Sequence, residues 1–285
     1  METPAAEIVI DEPLVGRLLR AQHPDLASLP LRLVANGWDN AIFRLGDDYA
    51  VRLPRREIAA VLVAKEQKWL PELAHQLTVA IPAPVRVGVP GGEFPWRWSV
   101  VPWLAGDVAQ AGTGEHLVGD LAQFVRELHV PAPVDAPSNP VRGVPLADRH
   151  EIMLARLASE PTPRRAEVLE QWTSSVAAEP WAGPPLWVHG DLHPANILTR
   201  SGRLAAVLDF GDLTAGDPAT DLAVTWLLFD RDSRARFRAE LDYDDSTWRR
   251  ARGWAIAFGS LAIGGDATFR QFGQHALREV LVSES

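Results

Sequence analysis

The 285-residue chain has no cysteine, which excludes disulfides, thiolate metal sites and a cysteine nucleophile together. Its fold is therefore indifferent to redox compartment. It also lacks any apolar run near the ~20 residues that span a bilayer. The first residues, Met1 to Glu7, have neither the basic start nor the apolar core of a signal peptide. A cytoplasmic location with no membrane partner is expected. Internal repeats are missing too, and the one biased stretch, Val130 to Val144, is rich in Pro and Ala. It reads as a surface excursion between helices. A net charge of -9 speaks against a nucleic-acid partner and weakly for cationic ligands, although solvated surface charge is the better explanation. What remains is an ordinary globular composition, 47% hydrophobic, sufficient for one large or two small domains.

One stretch stands out from this background: His189-Gly190-Asp191-Leu192-His193-Pro194-Ala195-Asn196-Ile197-Leu198, followed by Asp209-Phe210-Gly211-Asp212. An aspartate, an asparagine shortly after it, and a second aspartate closing the next apolar run form the minimal set for phosphoryl transfer of the protein-kinase type. The transferring group spreads negative charge over its oxygens, so the protein must hold Mg²⁺ and orient a hydroxyl. Asp191 would orient that hydroxyl and accept its proton. Asn196 and Asp209 offer the hard oxygen ligands that Mg²⁺ prefers.

The intervening sequence says how the two metal ligands meet. Asn196 to Thr199 and Leu204 to Leu208 are apolar runs separated by Arg200-Ser201-Gly202-Arg203, a hairpin signal that returns Asp209 beside Asn196. Pro185 to Val188 reads as a buried strand that leaves Asp191 on the loop at its end, where catalytic groups commonly sit. A zinc reading competes, because His189, Asp191 and His193 would share one face of a strand. Pro194 ends such a strand, and the other histidines are scattered at 23, 75, 116, 129, 150 and 275, so the partner ligands are missing. His189 reads better as a hydrogen-bonding brace for the loop.

Upstream, Ile42 to Leu45 and Tyr49 to Leu53 flank Gly46-Asp47-Asp48 as a second hairpin. Alternation places Ala50 and Arg52 on one face of its second strand and Tyr49, Val51 and Leu53 on the other. Arg52 stands two residues after a small residue, as the phosphate-binding lysine does in Val-Ala-Ile-Lys. A guanidinium can also grip phosphates, but it is not interchangeable with an ammonium. Its expected partner is Glu66, on a helix from about Arg56 to Leu70 that ends before Pro71. Ile58, Val61, Leu62, Lys65, Trp69 and Leu70 are expected on the packed face, with Glu66 near its edge. The turn Asn36-Gly37-Trp38-Asp39-Asn40 occupies the place of a nucleotide-covering loop, and its backbone N–H groups could meet phosphate. Trp96 to Gly106 is an apolar strand ending in a Pro and Gly break. A nucleobase would hydrogen-bond to backbone at Val100, Val101 and Trp103.

These motifs together resemble the aminoglycoside phosphotransferase (APH) family, the antibiotic and small-metabolite kinases related in fold to protein kinases. The likeness runs from about Gly37 to Ala223 and includes Ala50-Val51-Arg52-Leu53-Pro54, Glu66, the Asp191 loop, Asp209 and Asp217-Pro218-Ala219-Thr220-Asp221-Leu222. It implies an α+β, bilobal protein-kinase-like fold: a small antiparallel-sheet N-lobe, residues 1–103, that binds nucleotide, and a larger, mainly helical C-lobe, residues 104–285, that carries catalysis and the acceptor. It implies Asp191 as base and Asn196 and Asp209 as Mg²⁺ ligands.

From about Pro145 the pattern turns helical: Arg149 to Ala158, Arg164 to Val176, Ala219 to Asp230, Trp248 to Leu261 and Ala267 to Val282. Asp217 and Asp221 flank Pro218 at a helix start and read as caps, and Asp212 as solvent-facing. Aspartates at 230, 232, 242, 244 and 245 could meet a cationic acceptor, but nine arginines share the region. The expected function is Mg²⁺-dependent transfer of the γ-phosphoryl of ATP or GTP to a hydroxyl of a small molecule. An antibiotic acceptor, aminoglycoside or macrolide, leads, ahead of an amino alcohol or sugar. A catalytically idle nucleotide-binding module is the reading from a different class. The complete Asp191, Asn196 and Asp209 set opposes it.

Overall fold

Asp11 accepts a hydrogen bond from the Leu14 N–H at 2.9 Å and so caps α1 (Glu12–Gln22). This helix opens the computed structural model, which describes residues 4–112, 114–159 and 162–282. The described residues divide into two units, residues 4–76 with 80–104 and residues 77–79 with 105–282.

The first unit is a five-stranded antiparallel sheet flanked by two helices. Its strands β1 (Leu31–Asn36), β2 (Asn40–Leu45), β3 (Tyr49–Pro54), β4 (Arg86–Gly88) and β5 (Trp98–Pro102) lie in the order β1-β2-β3-β5-β4. Turn chemistry sets the β2–β3 hairpin: Gly46 takes φ +57, and Leu45 faces Tyr49 across the turn. Leu14, Val15, Leu18 and Leu19 of α1 recur at helical spacing and pack with Phe43, Val51, Leu53, Trp98 and Val100. Arg52 thereby falls on the opposite face, where α2 (Glu57–Gln76) lies.

Helix α2 departs from expectation in two ways. It runs through Pro71 to Gln76; Leu70 and Leu73, both buried, anchor the turns on either side of the missing N–H. Its packed face is also rotated. Ala59, Val63, Glu66, Trp69, Leu70 and Leu73 are buried, whereas Ile58 and Val61 are each 69% exposed. Glu66 consequently lies within the buried stripe and not at its edge.

The second unit is mainly helical. It contains β6 (Asp107–Val108), α3 (Val118–Leu128), α4 (His150–Ser159), α5 (Arg165–Val176), β7 (Leu186–Val188), β8 (Ile197–Arg200), β9 (Arg203–Val207) and β10 (Thr214–Gly216). Helices α6 (Ala219–Leu222), α7 (Val224–Leu228), α8 (Arg231–Ala239), α9 (Asp245–Ala262) and α10 (Ala267–Glu279) follow. Strands β6, β8 and β9 form one small sheet, and β7 pairs with β10. Twelve residues of α9 are buried, which makes it the axis around which this unit packs. The single helix expected over Ala219 to Asp230 is broken at Ala223, and Phe229 is extended. Among the described residues no helix is long and apolar enough to cross a membrane. These units are the small antiparallel sheet and the larger helical body of the expected α+β fold.

Candidate active site

Strand β7 delivers Asp191. Its buried residues Leu186, Trp187 and Val188 lead into Gly190, whose φ of +87 turns the chain. A Cβ at Gly190 would stand 2.4 Å from the Asp212 carbonyl oxygen, so no other residue fits. Asp221, fully buried, then fixes the turn. Its Oδ2 accepts the His189 N–H at 2.7 Å and its Oδ1 the Gly190 N–H at 2.9 Å. This corrects the expectation that Asp221 caps a helix: it holds the Asp191 loop. His129 Nε2 lies 3.2 Å from Asp221 Oδ2, and His129 Nδ1 lies 2.8 Å from the Tyr243 hydroxyl. Burial, and then the Asp221 and Asp217 carboxylates, push the Tyr243 phenol well above its ordinary value.

His189 braces the same loop. Its Nε2 lies 2.8 Å from the Leu208 carbonyl, which can only accept, and its Nδ1 accepts the Asp191 N–H at 3.2 Å. Those partners put its proton on Nε2, and its ring rests 4.5 Å from that of Phe210. Asp217, in contrast, does cap, accepting from the Ala219 N–H at 3.0 Å, and it also forms a buried pair with Arg250 at 2.7 Å.

The Asp191 carboxylate meets an arginine and a histidine. Arg142 approaches Oδ1 at 3.2 Å and His193 Nε2 approaches Oδ2 at 3.2 Å. Burial pushes the Asp191 carboxyl up, but His193 and then Arg142 outweigh it and hold the group well below the usual carboxylate range. With its side chain 26% exposed, Asp191 remains reachable. His193 is stacked on Phe272 at 5.1 Å and meets Phe269 edge-on at 5.3 Å, both from α10.

Arg142 comes from the Pro- and Ala-rich stretch, which runs over the surface between helices as expected, none of residues 130–144 being buried, but is fastened down by backbone bonds. Ala132 donates to the Pro185 carbonyl at 3.0 Å, Ala215 to the Pro137 carbonyl at 2.9 Å, and Asp217 to the Gly143 carbonyl at 2.9 Å, so the stretch is strapped to β7, β10 and the start of α6. Gly143 and Gly216 pass so closely that a Cβ on Gly216 would lie 2.1 Å from the Gly143 oxygen. Asp212, expected to face solvent, accepts from Asn139 at 2.8 Å and lies 3.5 Å from Arg142 Nε. The signal in the sequence was Arg142 itself, the lone cation among prolines and alanines.

Hairpin β8–β9 forms as read, with Arg200 opposite Arg203 and positive φ at Ser201 and Gly202. The Leu208 N–H donates to the Asn196 carbonyl at 2.8 Å, which brings Asp209 next to Asn196 along the backbone. Asn196 Nδ2 donates to the Asp191 carbonyl at 2.9 Å; the amide oxygen is thus turned away from that bond. Asp209 has φ +57, and its carboxylate accepts one long hydrogen bond, from Gly211 at 3.3 Å. An amide oxygen and a carboxylate with lone pairs to spare fit a hard divalent cation that keeps several waters. No group of three or more His, Cys, Asp or Glu among the described residues could hold a metal ion.

In the first unit Arg52 NH1 lies 3.1 Å from Glu66 Oε2, with the two side chains 11% and 5% exposed. The chain has two lysines, Lys65 and Lys68, and both are on α2 rather than on β3. The turn at Asn36 to Asn40 is closed by Gly37 N donating to Asn40 O at 2.9 Å and held by Arg55 on the Gly37 carbonyl at 2.7 Å. Val100 and Val101 are buried in β5. The Val100 carbonyl accepts from Val85 at 2.8 Å and the Trp103 N–H donates to Asp48 at 2.7 Å, so those two atoms are not available to a nucleobase.

Among solved structures, wild-type aminoglycoside 2'-phosphotransferase-IIIa, described as a GDP complex, superposes with a TM-score of 0.68 at 18% identity, covering 95% of this chain and 99% of that one. Macrolide 2'-phosphotransferase MphH from Brachybacterium faecium gives 0.64 at 23% identity, covering 93% and 97%. An uncharacterized protein of Bacillus subtilis (strain 168), YcbJ, is 24% identical over 261 residues, 85% of this chain and 82% of the relative. The structural likenesses establish the fold. The family profile for the phosphotransferase enzyme family, APH, matches residues 30–254. With well over half its length so matched, and the Asp191 loop inside the match, the chain belongs to the APH phosphotransferase enzyme family.

Proposed function

We propose that the protein transfers the γ-phosphoryl group of a nucleoside triphosphate, ATP or GTP, to a hydroxyl of a small molecule, with Asp191 as catalytic residue. The carrying observation is the loop itself: Gly190, Asp221 and His189 fix the backbone on either side of Asp191, with Asn196 hydrogen-bonded back to it. So much local ordering around one partly exposed carboxylate suits an atom that must be aimed.

A carboxylate held far below its usual range is a weak proton acceptor in the ground state. In a loose, metaphosphate-like transition state the hydroxyl becomes acidic only as its oxygen bonds to phosphorus, so orientation comes first and proton transfer late. The bond between the γ-phosphorus and the β-phosphate oxygen breaks, a bond from the acceptor oxygen forms, and the acceptor proton passes to Asp191. Asn196 and Asp209 would hold Mg²⁺, which when bound neutralises charge on the nucleotide phosphates. In the sheet unit, Arg52, set by Glu66, binds phosphate, and backbone at the end of β5 takes the base.

Aminoglycoside and macrolide acceptors, as the solved relatives' names suggest, define the first substrates to try. Both classes carry amines, and two of the five aspartates that might have met them are engaged: Asp230 caps α8 through Ser233 N at 2.9 Å and Asp244 caps α9 through Thr247 N at 2.6 Å. Mass spectrometry of a hydroxyl-bearing panel incubated with Mg²⁺ and ATP or GTP tests the function. A phosphoryl-sized mass gain that disappears in Asp191→Ala, with nucleotide binding retained, is the expected result. Undiminished phosphorylation by Asp191→Ala would sink the assignment.

A further inference from the structure

His193 follows Asp191 by two residues and is almost completely buried, 4% exposed. Helix α10 sets two rings against it: Phe272 stacks at 5.1 Å, 19° from parallel, and Phe269 meets it edge-on at 5.3 Å. In that seat the ring nitrogen Nδ1 is buried with no hydrogen-bond partner among the described residues. A leucine would fill the same space with no polar atom left unpaired. The reason for a histidine must therefore lie at the other end of its ring.

That end faces the reaction centre. Nε2 lies 3.2 Å from Asp191 Oδ2 and 3.5 Å from Asn196 Nδ2, which already donates to the Asp191 carbonyl. The nearer of the two is a carboxylate, which can only accept, so the proton sits on Nε2. Arg142 donates to the opposite oxygen, Oδ1, at 3.2 Å. A carboxylate accepts best near its own plane, and one held at both oxygens does not rotate about its last bond. Of the two holders, His193 is a short side chain whose ring plane is set by its aromatic neighbours, whereas Arg142 ends a long flexible stem. The direction in which Asp191 meets an acceptor hydroxyl is thus fixed from α10.

We propose that His193 is a positioning residue for phosphoryl transfer: it fixes the plane of the Asp191 carboxylate, and Phe272 and Phe269 of α10 fix the plane of His193. This rests on the phosphotransferase reading and adds to it a residue that aims the acceptor hydroxyl without touching it.

The two ring nitrogens can be told apart by substitution, since a glutamine amide reaches the place of Nε2 and an asparagine amide that of Nδ1. Hydrolysis of ATP and of GTP with Mg²⁺, water standing in for the acceptor, gives kcat and KM on the full chain, and calorimetry gives Tm. His193→Gln should keep kcat within about tenfold of wild type, whereas His193→Asn and His193→Leu should lose about 10²-fold, the scale of a misaimed group. KM for the nucleotide should stay within a few-fold in all three. His193→Leu should melt no lower than wild type, because the unpaired nitrogen is gone. On histidine-labelled protein, ¹⁵N NMR should find the His193 proton on Nε2, a readout that needs no turnover. Equal kcat in His193→Gln and His193→Asn, undiminished kcat in His193→Leu, a His193→Leu protein that melts well below wild type, or a bare Nε2 would overturn the proposal. If wild type neither binds nor hydrolyses either nucleotide while Nε2 carries its proton, the phosphotransferase reading falls and takes the proposal with it; hydrolysis indifferent to every His193 variant removes only the role of His193.

Discussion

Asp221 never touches a reacting atom, yet three hydrogen bonds converge on its buried carboxylate. Asp221→Asn turns an N–H toward an N–H donor and frees the loop. Since a misplacement of about 1 Å can cost ~10²-fold in rate, kcat is expected to fall by about that factor while nucleotide binding stays within a few-fold. Steady-state kinetics and nucleotide titration separate the two. Arg142 acts on the other side of the loop. In Arg142→Gln one cation leaves Asp191, whose carboxyl should rise toward the ordinary ~3.9. With Asp191 ionised in its proposed role, the acid limb of kcat at saturating acceptor should move to higher pH in the variant, and an unmoved profile would contradict the pairing. Asp191, Asn196, Asp209, Arg52 and Glu66 could be read from sequence because each stands at a fixed offset within a local motif. The contacts made by Asp221, His129 and Arg142 span 32, 92 and 49 residues, and nothing local marks them.

Elements follow the same division. Both hairpins were legible because a glycine-bearing turn determines register on its own. The packed face of α2 was not, since which stripe of an apolar helix turns inward is settled by the sheet beneath it, here through Arg52 drawing in Glu66. The strap carrying Arg142 was legible as a surface stretch between helices, but its partners were not, because proline-rich composition reports local backbone preference and is silent on them. Its crossing with β10 predicts that Gly216→Ala, which puts a Cβ into the Gly143 carbonyl, lowers the thermal midpoint steeply or abolishes soluble expression. Removal of one helix cap is milder. Asp244→Ala should cost about 1 kcal/mol, or about 2–4 °C in Tm, by calorimetry.

For the molecule as a whole, a net charge of -9 poses a problem when the donor is itself a polyanion. On the proposed function, a divalent cation held by Asn196 and Asp209 would offset that repulsion at the phosphates, so excess EDTA should abolish turnover and added Mg²⁺ restore it, measured by product formation. The arginine at position 52 has a further consequence. With both lysines of the chain on α2, amine-directed nucleotide affinity labels that tag a phosphate-facing lysine have no target on β3, and lysine acylation cannot silence that position. Dicarbonyl reagents selective for guanidinium would be the covalent probes of this site, with bound nucleotide as the protecting agent.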